Sequence, residues 1–96
     1  MTIEEIKKQS ERLLKRLLET KPESTNDIGL YAFAGAWTEA TQFIYDFGGR
    51  ESQFAKQIEL TDPMNQNIEW VYQHTENAIN ALVRYLENGL HRAISP

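Results

Sequence analysis

The apolar residues of the first twenty positions recur with the spacing of one helix face. They fall three or four residues apart, as the 3.6-residue period of an α-helix requires. These positions are Ile3, Ile6, Leu13, Leu14, Leu17 and Leu18, with Ser10 in the gap of the stripe. Thr2 and Glu5 have the spacing of a capping box, in which each residue satisfies a free N–H of the first turn. We therefore predict an amphipathic helix near residues 2–20.

A second helix is predicted near residues 28–47, after a linker. Residues 21–27 read KPESTND and contain no apolar side chain, which is typical of a loop. Asn26 or Asp27 can cap the helix that follows. Its inward stripe is Leu30, Phe33, Ala34, Trp37, Ala40, Thr41 and Ile44. Gly48 and Gly49 predict the end of this helix, because glycine adopts the left-handed backbone of a helix C-terminus.

Two more helices are predicted near residues 50–60 and 63–88. Asp62 suits an N-cap and Pro63 suits the first helical position, where its missing N–H costs nothing. The apolar residues of the last segment are in helical register, and Gly89 is predicted to be its left-handed C-cap.

Long helices and short loops indicate an all-α fold, an antiparallel four-helix bundle. The chain of 96 residues has room for one core, so we expect a single domain over 1–96. No segment shows the two-residue alternation of a strand. The predicted core is Ile6, Leu13, Leu17, Phe33, Trp37, Ile44, Phe54, Ile58, Ile68, Val71, Ile79, Leu82 and Leu86.

The amino-acid composition indicates the compartment in which we expect the protein. The absence of cysteine indicates a reducing compartment and excludes disulfides and thiolate metal sites. The N-terminus has no apolar secretory signal, and no stretch reaches the roughly 20 apolar residues of a membrane span. We therefore expect a cytoplasmic protein that has no membrane partner.

The charge of the chain argues against a nucleic-acid partner. The net charge is −4, whereas nucleic-acid binding by counterion release normally depends on a basic excess. Lys8, Arg12, Lys15 and Arg16 do form a cationic strip on the first helix, but glutamates lie between them. This mixture is typical of a solvated helix face.

Neither a metal site nor a cofactor site emerges from the residue spacing. Neither His74 nor His91 has a second histidine or a carboxylate three or four positions after it on a helix, so no metal is predicted. Ser52 opens the third helix after two glycines, where free N–H groups can hold an anion. No phosphate-loop pattern surrounds it, and helix capping explains the serine better. We predict no cofactor.

Arg84 and His91, with six residues between them, resemble the Arg-x(4–6)-His element of the HEPN ribonucleases, which are also all-helical. That resemblance implies RNA cleavage at a dimer cleft by these two residues. Two features depart from the family pattern: Tyr85 replaces a usually polar residue, and Gly89 falls between the pair. The competing interpretation is a pair of cations near a helix C-terminus, where the helix dipole favours them.

Aromatic residues are concentrated in the second predicted helix. Six of the ten fall there, although a bundle helix needs only about a 100° apolar face. Tyr31, Phe43 and Phe47 lie off the inward stripe, and exposed rings of this kind favour a protein interface. We predict that they form the interface of a symmetric homodimer, together with part of the fourth helix. The alternative is that the same chain covers them.

The segments together resemble a helical module at the N-terminus of bacterial anti-phage and abortive-infection effectors. The matching residues are Leu13-Leu14, Trp37, Phe47-Gly48 with Ser52, and Leu86-Glu87-Asn88-Gly89. The chain departs from the pattern by the extra Gly49, and it stops where the family's effector domain would begin. The resemblance implies an association module of bacterial defence without catalytic residues, whose partner is another protein or a fused effector domain.

The functional expectation is therefore a non-enzymatic interaction or oligomerisation module. No nucleophile–base pair, metal cluster or phosphate loop is visible in the sequence. Two alternatives stay open: a HEPN-like ribonuclease that uses Arg84 and His91, and a helical bundle that binds a small molecule.

Overall fold

Four α-helices account for the fold. The computed structural model describes residues 2–23 and 29–94, the last five through their backbone alone. The helices are α1 (Ile3–Thr20), α2 (Leu30–Gly48), α3 (Gln53–Glu59) and α4 (Ile68–Ile94). These ranges contain no strand. The predicted all-α four-helix bundle is confirmed.

Ion pairs and contacts between helices establish their directions. Lys7 pairs with Glu87 at 2.8 Å and Lys21 pairs with Glu69 at 2.6 Å, so the start of α1 lies beside the C-terminal half of α4 and its end beside the start of α4. Helix α1 is therefore antiparallel to α4. It packs on α2 as well, and α3 packs on α2 and α4. In the described parts of the chain α1 does not contact α3, so the two lie on opposite sides of the α2–α4 pair.

Two groups of buried side chains form the core. One joins the N-terminal half of α1 to α3, the second half of α2 and the middle of α4. The other joins the end of α1 to the first turns of α2 and α4, and Trp37 packs against both groups. Nine of the predicted core residues are buried: Ile6, Leu17, Phe33, Ile44, Ile58, Ile68, Val71, Ile79 and Leu82. Leu13, Trp37, Phe54 and Leu86 are half-buried and pack against these groups.

Three of the helix ends follow the predicted capping chemistry. The Thr2 hydroxyl accepts a hydrogen bond from the N–H of Glu5 at 3.2 Å. The Ser52 hydroxyl likewise accepts from the N–H of Ala55 at 3.1 Å and starts α3. Gly49 ends α2 with a φ of 90°, in the left-handed region that glycine tolerates. The capping function assigned to Asn26 or Asp27 lies outside the described residues.

The predicted start of the fourth helix at residue 63 is wrong. The Asp62 carboxylate accepts hydrogen bonds from the N–H of Met64 and the side-chain amide of Asn65, which closes a turn instead of capping a helix. Pro63 is buried within this turn. Helix α4 begins five residues later, where the Asn67 side chain accepts from the N–H of Trp70 at 3.1 Å. The third helix is shorter than predicted as well, because Ser52 caps it.

The predicted end of the fourth helix at Gly89 is also wrong. Helix α4 continues through this residue to Ile94. Gly49 is the one glycine with a positive φ in the described ranges, so Gly89 keeps helical geometry. Among the described residues, no helix is both long enough and apolar enough to cross a membrane.

Candidate interaction surface

The three aromatic residues predicted to form an interface have different environments. Tyr31 is 71% exposed in the first turn of α2, whereas Phe43 is only 2% exposed. Phe47 is half-buried, and its ring centroid lies 4.9 Å from that of Phe43. The placement of Phe43 outside the core is therefore wrong. Helix α2 has neighbours on three sides, α1, α3 and α4, so it buries a wider arc than one stripe.

Hydrogen bonds hold Trp37 against the chain that follows α3. Its indole N–H donates to the Thr61 hydroxyl at 2.6 Å, and this hydroxyl donates to the carbonyl of Ile58. Because Thr61 is buried, this chain of bonds satisfies polar groups that would otherwise be costly to bury. The bonds attach the α3–α4 connection to the first half of α2.

The two residues of the alternative ribonuclease site lie on one helix. Arg84 is exposed on α4. Residue 91 follows it by seven positions, which is about two turns and 10.5 Å along a continuous helix. The side chain of His91 lies outside the described residues. The predicted helix break between the two positions is therefore absent, and α4 is continuous there.

His74 interacts with its own helix. Its Nδ1 lies 2.9 Å from the carbonyl oxygen of Trp70, and the two rings are in contact, with centroids 4.0 Å apart and planes tilted by 35°. Across the described residues no group of three His, Cys, Asp or Glu side chains is arranged to hold a metal ion. His74 is thus tied to Trp70 by a backbone hydrogen bond and a ring contact.

Two of the four basic side chains in the cationic strip of α1 lie beside carboxylates. One guanidinium nitrogen of Arg16 donates hydrogen bonds to both carboxylate oxygens of Glu39, at 2.7 and 2.9 Å. Lys15 lies 3.9 Å from Glu19. Around Lys8 and Arg12 the surface forms only a shallow depression on α1 itself. These contacts are those of a solvated helix face.

A second shallow depression lies where α2 ends and α3 begins. It is lined by Gly48, Ser52, Gln53, Phe54 and Tyr85. Tyr85 is 64% exposed, but one side of its ring packs against Phe54, with centroids 5.6 Å apart. The Ser52 hydroxyl, which caps α3 here, accepts a hydrogen bond from the N–H of Ala55 and donates one to the carbonyl of Gly49. We refer to this part of the bundle as the Tyr85 end.

Among the described residues, five of the six exposed large apolar side chains lie outside the Tyr85 end, toward the half of the bundle where α2 and α4 begin. We name this set the apolar end: Leu18, Tyr31, Leu60, Met64 and Trp70. Its members come from the last turn of α1, the first turns of α2 and α4, and the connection after α3. Leu60 is 72% exposed and Met64 48%. Large exposed apolar side chains are favoured at binding sites.

A charged cluster borders the apolar end. The Lys21 ammonium bonds the Glu69 carboxylate at 2.6 Å and lies 4.9 Å from the centre of the Tyr72 ring. The hydrogen bond from Lys21 holds the pKa of Glu69 below its ordinary value. Burial, together with the hydrogen bond to Glu76, raises the pKa of the Tyr72 phenol. This cluster fixes the end of α1 against α4.

Sequence reasoning missed four members of the apolar end. It placed Leu18 in the buried stripe of the first helix, yet this side chain is 54% exposed. It gave no function to Leu60, Met64 or Trp70. Their positions beside helix ends were the available signal, because a terminal turn has fewer neighbours to cover it than a central one.

Comparison of this chain with known protein families, with curated proteins and with solved structures finds no match.

Proposed function

We propose that this chain is a non-catalytic helical module that binds another protein through the apolar end. The observation that carries the proposal is the set of five large apolar side chains exposed in one half of the bundle. Aromatic and large aliphatic residues supply much of the binding energy of protein interfaces. The other aromatic rings of α2 are buried in the core or pack against it, whereas Tyr31 is exposed and can contact a partner.

A paired variant tests this proposal. Changing Tyr31 and Leu60 to serine removes exposed apolar surface without opening the core, so the helical circular dichroism and the urea midpoint stay close to wild type. We expect the variant to lose the protein partner that the wild-type chain retains in a pull-down from its native host. Tyr85→Ser at the Tyr85 end is the matched control and keeps the partner. Equal retention by all three proteins contradicts the proposal.

The predicted homodimer is a separate proposal. Sedimentation equilibrium at micromolar concentration tests it, because a dimer has twice the 11.1 kDa mass of the chain. A monomer across the concentration range contradicts self-association and leaves binding to a different protein intact. The resemblance to defence effectors supports a partner that is another protein or a catalytic domain in the same polypeptide.

One observation favours the ribonuclease as a second candidate. Helix α4 runs without a break past Gly89, so positions 84 and 91 are two turns apart on one helix. RNA incubated with the purified protein tests it: cleavage that is lost in His91→Ala supports the ribonuclease and contradicts the non-catalytic module. The third candidate, a bundle that binds a small molecule, predicts a thermal shift in a metabolite screen.

A further inference from the structure

The ion pairs between helices all involve α1 or the residue that ends it. In each pair the basic side chain comes from α1 or its C-cap Lys21, and the carboxylate comes from α2 or α4. The three pairs are Lys7 with Glu87, Arg16 with Glu39 and Lys21 with Glu69. Within the described part of the chain, no ion pair joins α2, α3 and α4 to one another. Helix α1 is therefore the element that charge attaches to the others.

The apolar face of α1 fills a groove formed by α2 and α4, which we name the α1 groove. Leu17 is fully buried among side chains of α2 and α4, and Ile6 is 6% exposed in the other core group. Ser10 is buried on the same face, but its hydroxyl donates to the carbonyl of Lys7 in its own helix. The contacts of α1 are thus an apolar stripe bordered by basic side chains that meet carboxylates.

The other three helices are joined to one another without α1. Helix α3 packs on α2 and α4, and α2 packs on α4, whereas α1 does not contact α3 in the described residues. The Tyr45 hydroxyl of α2 donates to Glu59 of α3 at 2.8 Å, and Phe54 of α3 packs against Tyr85 of α4. The chain therefore consists of a three-helix unit, α2 to α4, and one helix docked on one side of it.

The charges of these two parts are complementary. Residues 2–21 carry six basic and four acidic side chains, a formal charge of +2. Residues 29–94 carry four basic and eight acidic side chains, a formal charge of −4. Opposite charge on two surfaces favours their association and fixes their register. This attraction acts between the α1 of one copy and the groove of another as well as within one chain.

We propose that the α1 groove also binds the α1 of a second copy of this chain, so that two copies exchange their first helices. Exchange repeats the apolar and charged contacts of α1 between chains and needs no new interface, which makes it a low-cost route to a symmetric dimer. The inference goes beyond the proposed function, because the α1 groove is covered surface and differs from the exposed side chains of the apolar end.

Cysteine crosslinking between two copies tests the exchange, because the chain has no cysteine of its own. Lys7→Cys is made in one full-length protein and Glu87→Cys in a second that carries a different tag. The two are mixed at high concentration, incubated and treated with a short bismaleimide. The same experiment is repeated at the middle and at the end of α1, with cysteines at positions 16 and 39 and at positions 21 and 69. We expect a product that contains both chains for all three pairs.

A matched pair within the three-helix unit is the control. Tyr45→Cys and Glu59→Cys replace side chains that bond at 2.8 Å but belong to elements that stay together during exchange. Exchange predicts at least about fivefold more product between chains for each α1 pair than for this control pair. Single chains that carry both cysteines of a pair show that the reagent spans each distance.

Charge reversal gives an independent readout. One protein carries three α1 changes: Lys7→Glu, Arg16→Glu and Lys21→Glu. The second carries the three opposite changes in the groove: Glu39→Lys, Glu69→Lys and Glu87→Lys. Each protein alone places like charges together, and only exchange between the two restores every pair, so we expect the mixture to form a heterodimer of twice the 11.1 kDa mass. A protein with the same charge change on the solvent face of α1 is the control and forms no heterodimer with the second: Lys8→Glu, Arg12→Glu and Lys15→Glu.

The outcomes separate this inference from the proposed function. Product between chains from one α1 pair alone shows two intact bundles in contact and overturns the exchange. Product no greater than that of the control pair, or a mixture of charge-reversed proteins that stays monomeric, overturns it as well. None of these results bears on the apolar end, for which the pull-down with the Tyr31 and Leu60 variant remains the test.

Discussion

At the scale of single residues, the central question of α2 is which of its many apolar side chains enter the core. Phe43 is buried and Tyr31 is exposed, although both lie off the stripe that the sequence predicts. A helix that is apolar around most of its circumference satisfies several packing arrangements equally. The choice among them depends on where α1, α3 and α4 lie, and the spacing of residues within α2 does not contain that information.

This difference predicts the cost of removing each ring. Phe43→Ala should lower the free energy of unfolding by about 3–5 kcal/mol, because it removes a buried aromatic ring and leaves a cavity. Tyr31→Ala should change it by less than about 0.5 kcal/mol, as is usual at an exposed site. Urea denaturation measures both values. Similar costs would place the two rings in similar environments and contradict the structure.

Buried hydroxyl groups give a second prediction. Thr75 is fully buried and its hydroxyl has no hydrogen-bond partner, which is a costly state for a polar group. Thr75→Val should therefore raise the free energy of unfolding by about 1 kcal/mol. Thr61→Val is the control: it removes the acceptor of the Trp37 indole and should lower stability by about 1–3 kcal/mol. A destabilised Thr75→Val protein would mean that the hydroxyl has a partner.

At the scale of helices and turns, the presence of each helix is easier to predict than the residues at which it begins and ends. All four helices follow from periodicity, and Thr2, Ser52 and Gly49 act at their ends as expected. Asp62 and Asn67 can both cap a helix, and local sequence does not decide between them. Asp62 instead closes a turn whose Pro63 is buried, so tertiary packing sets the start of α4. Gly89 continues the helix for an analogous reason, since glycine permits a helix end without requiring one.

Gly35 within α2 and Gly49, which ends this helix, should respond oppositely to alanine. Gly35 is exposed within the helix, and an added Cβ would meet nothing within 4 Å. Gly35→Ala should therefore stabilise the protein by up to about 1 kcal/mol, the difference in helix propensity. Gly49 has a φ of 90°, so Gly49→Ala forces a side chain into a strained region and destabilises the protein. Thermal unfolding compares the two, and a stabilising Gly49→Ala would contradict the predicted helix end.

The bond between Lys21 and Glu69 predicts part of the pH dependence of stability. Because this bond holds the pKa of Glu69 below its ordinary value, the stabilisation is present above the pKa of the unfolded chain. It is lost as the pH falls through the lower pKa of the folded state. Lys21→Met should therefore flatten the loss of stability between about pH 5 and pH 3. Urea midpoints across this range test it, and an unchanged slope would show that Lys21 has no such effect.

At the scale of the whole molecule, the sequence predicts the bundle more completely than its binding surface. The radius of gyration is 14.0 Å, compared with about 12.5 Å for a compact domain of this length. Helix α4 contributes to this elongation because its 27 residues span about 40 Å. The apolar end combines side chains from three helix ends and one connection, and their exposure depends on how the assembled bundle covers each helix.

The most direct measurement of the central claim is site-specific photo-crosslinking of this chain in its native host. A benzophenone amino acid replaces Tyr31 at the apolar end in one protein and Gln53 at the Tyr85 end in another. Both positions are exposed in the first turn of a helix, so they differ chiefly in the end of the bundle to which they belong. We expect an adduct with another protein from position 31 and none from position 53. An adduct from position 53 alone, equal adducts from both, or none from either would contradict binding through the apolar end.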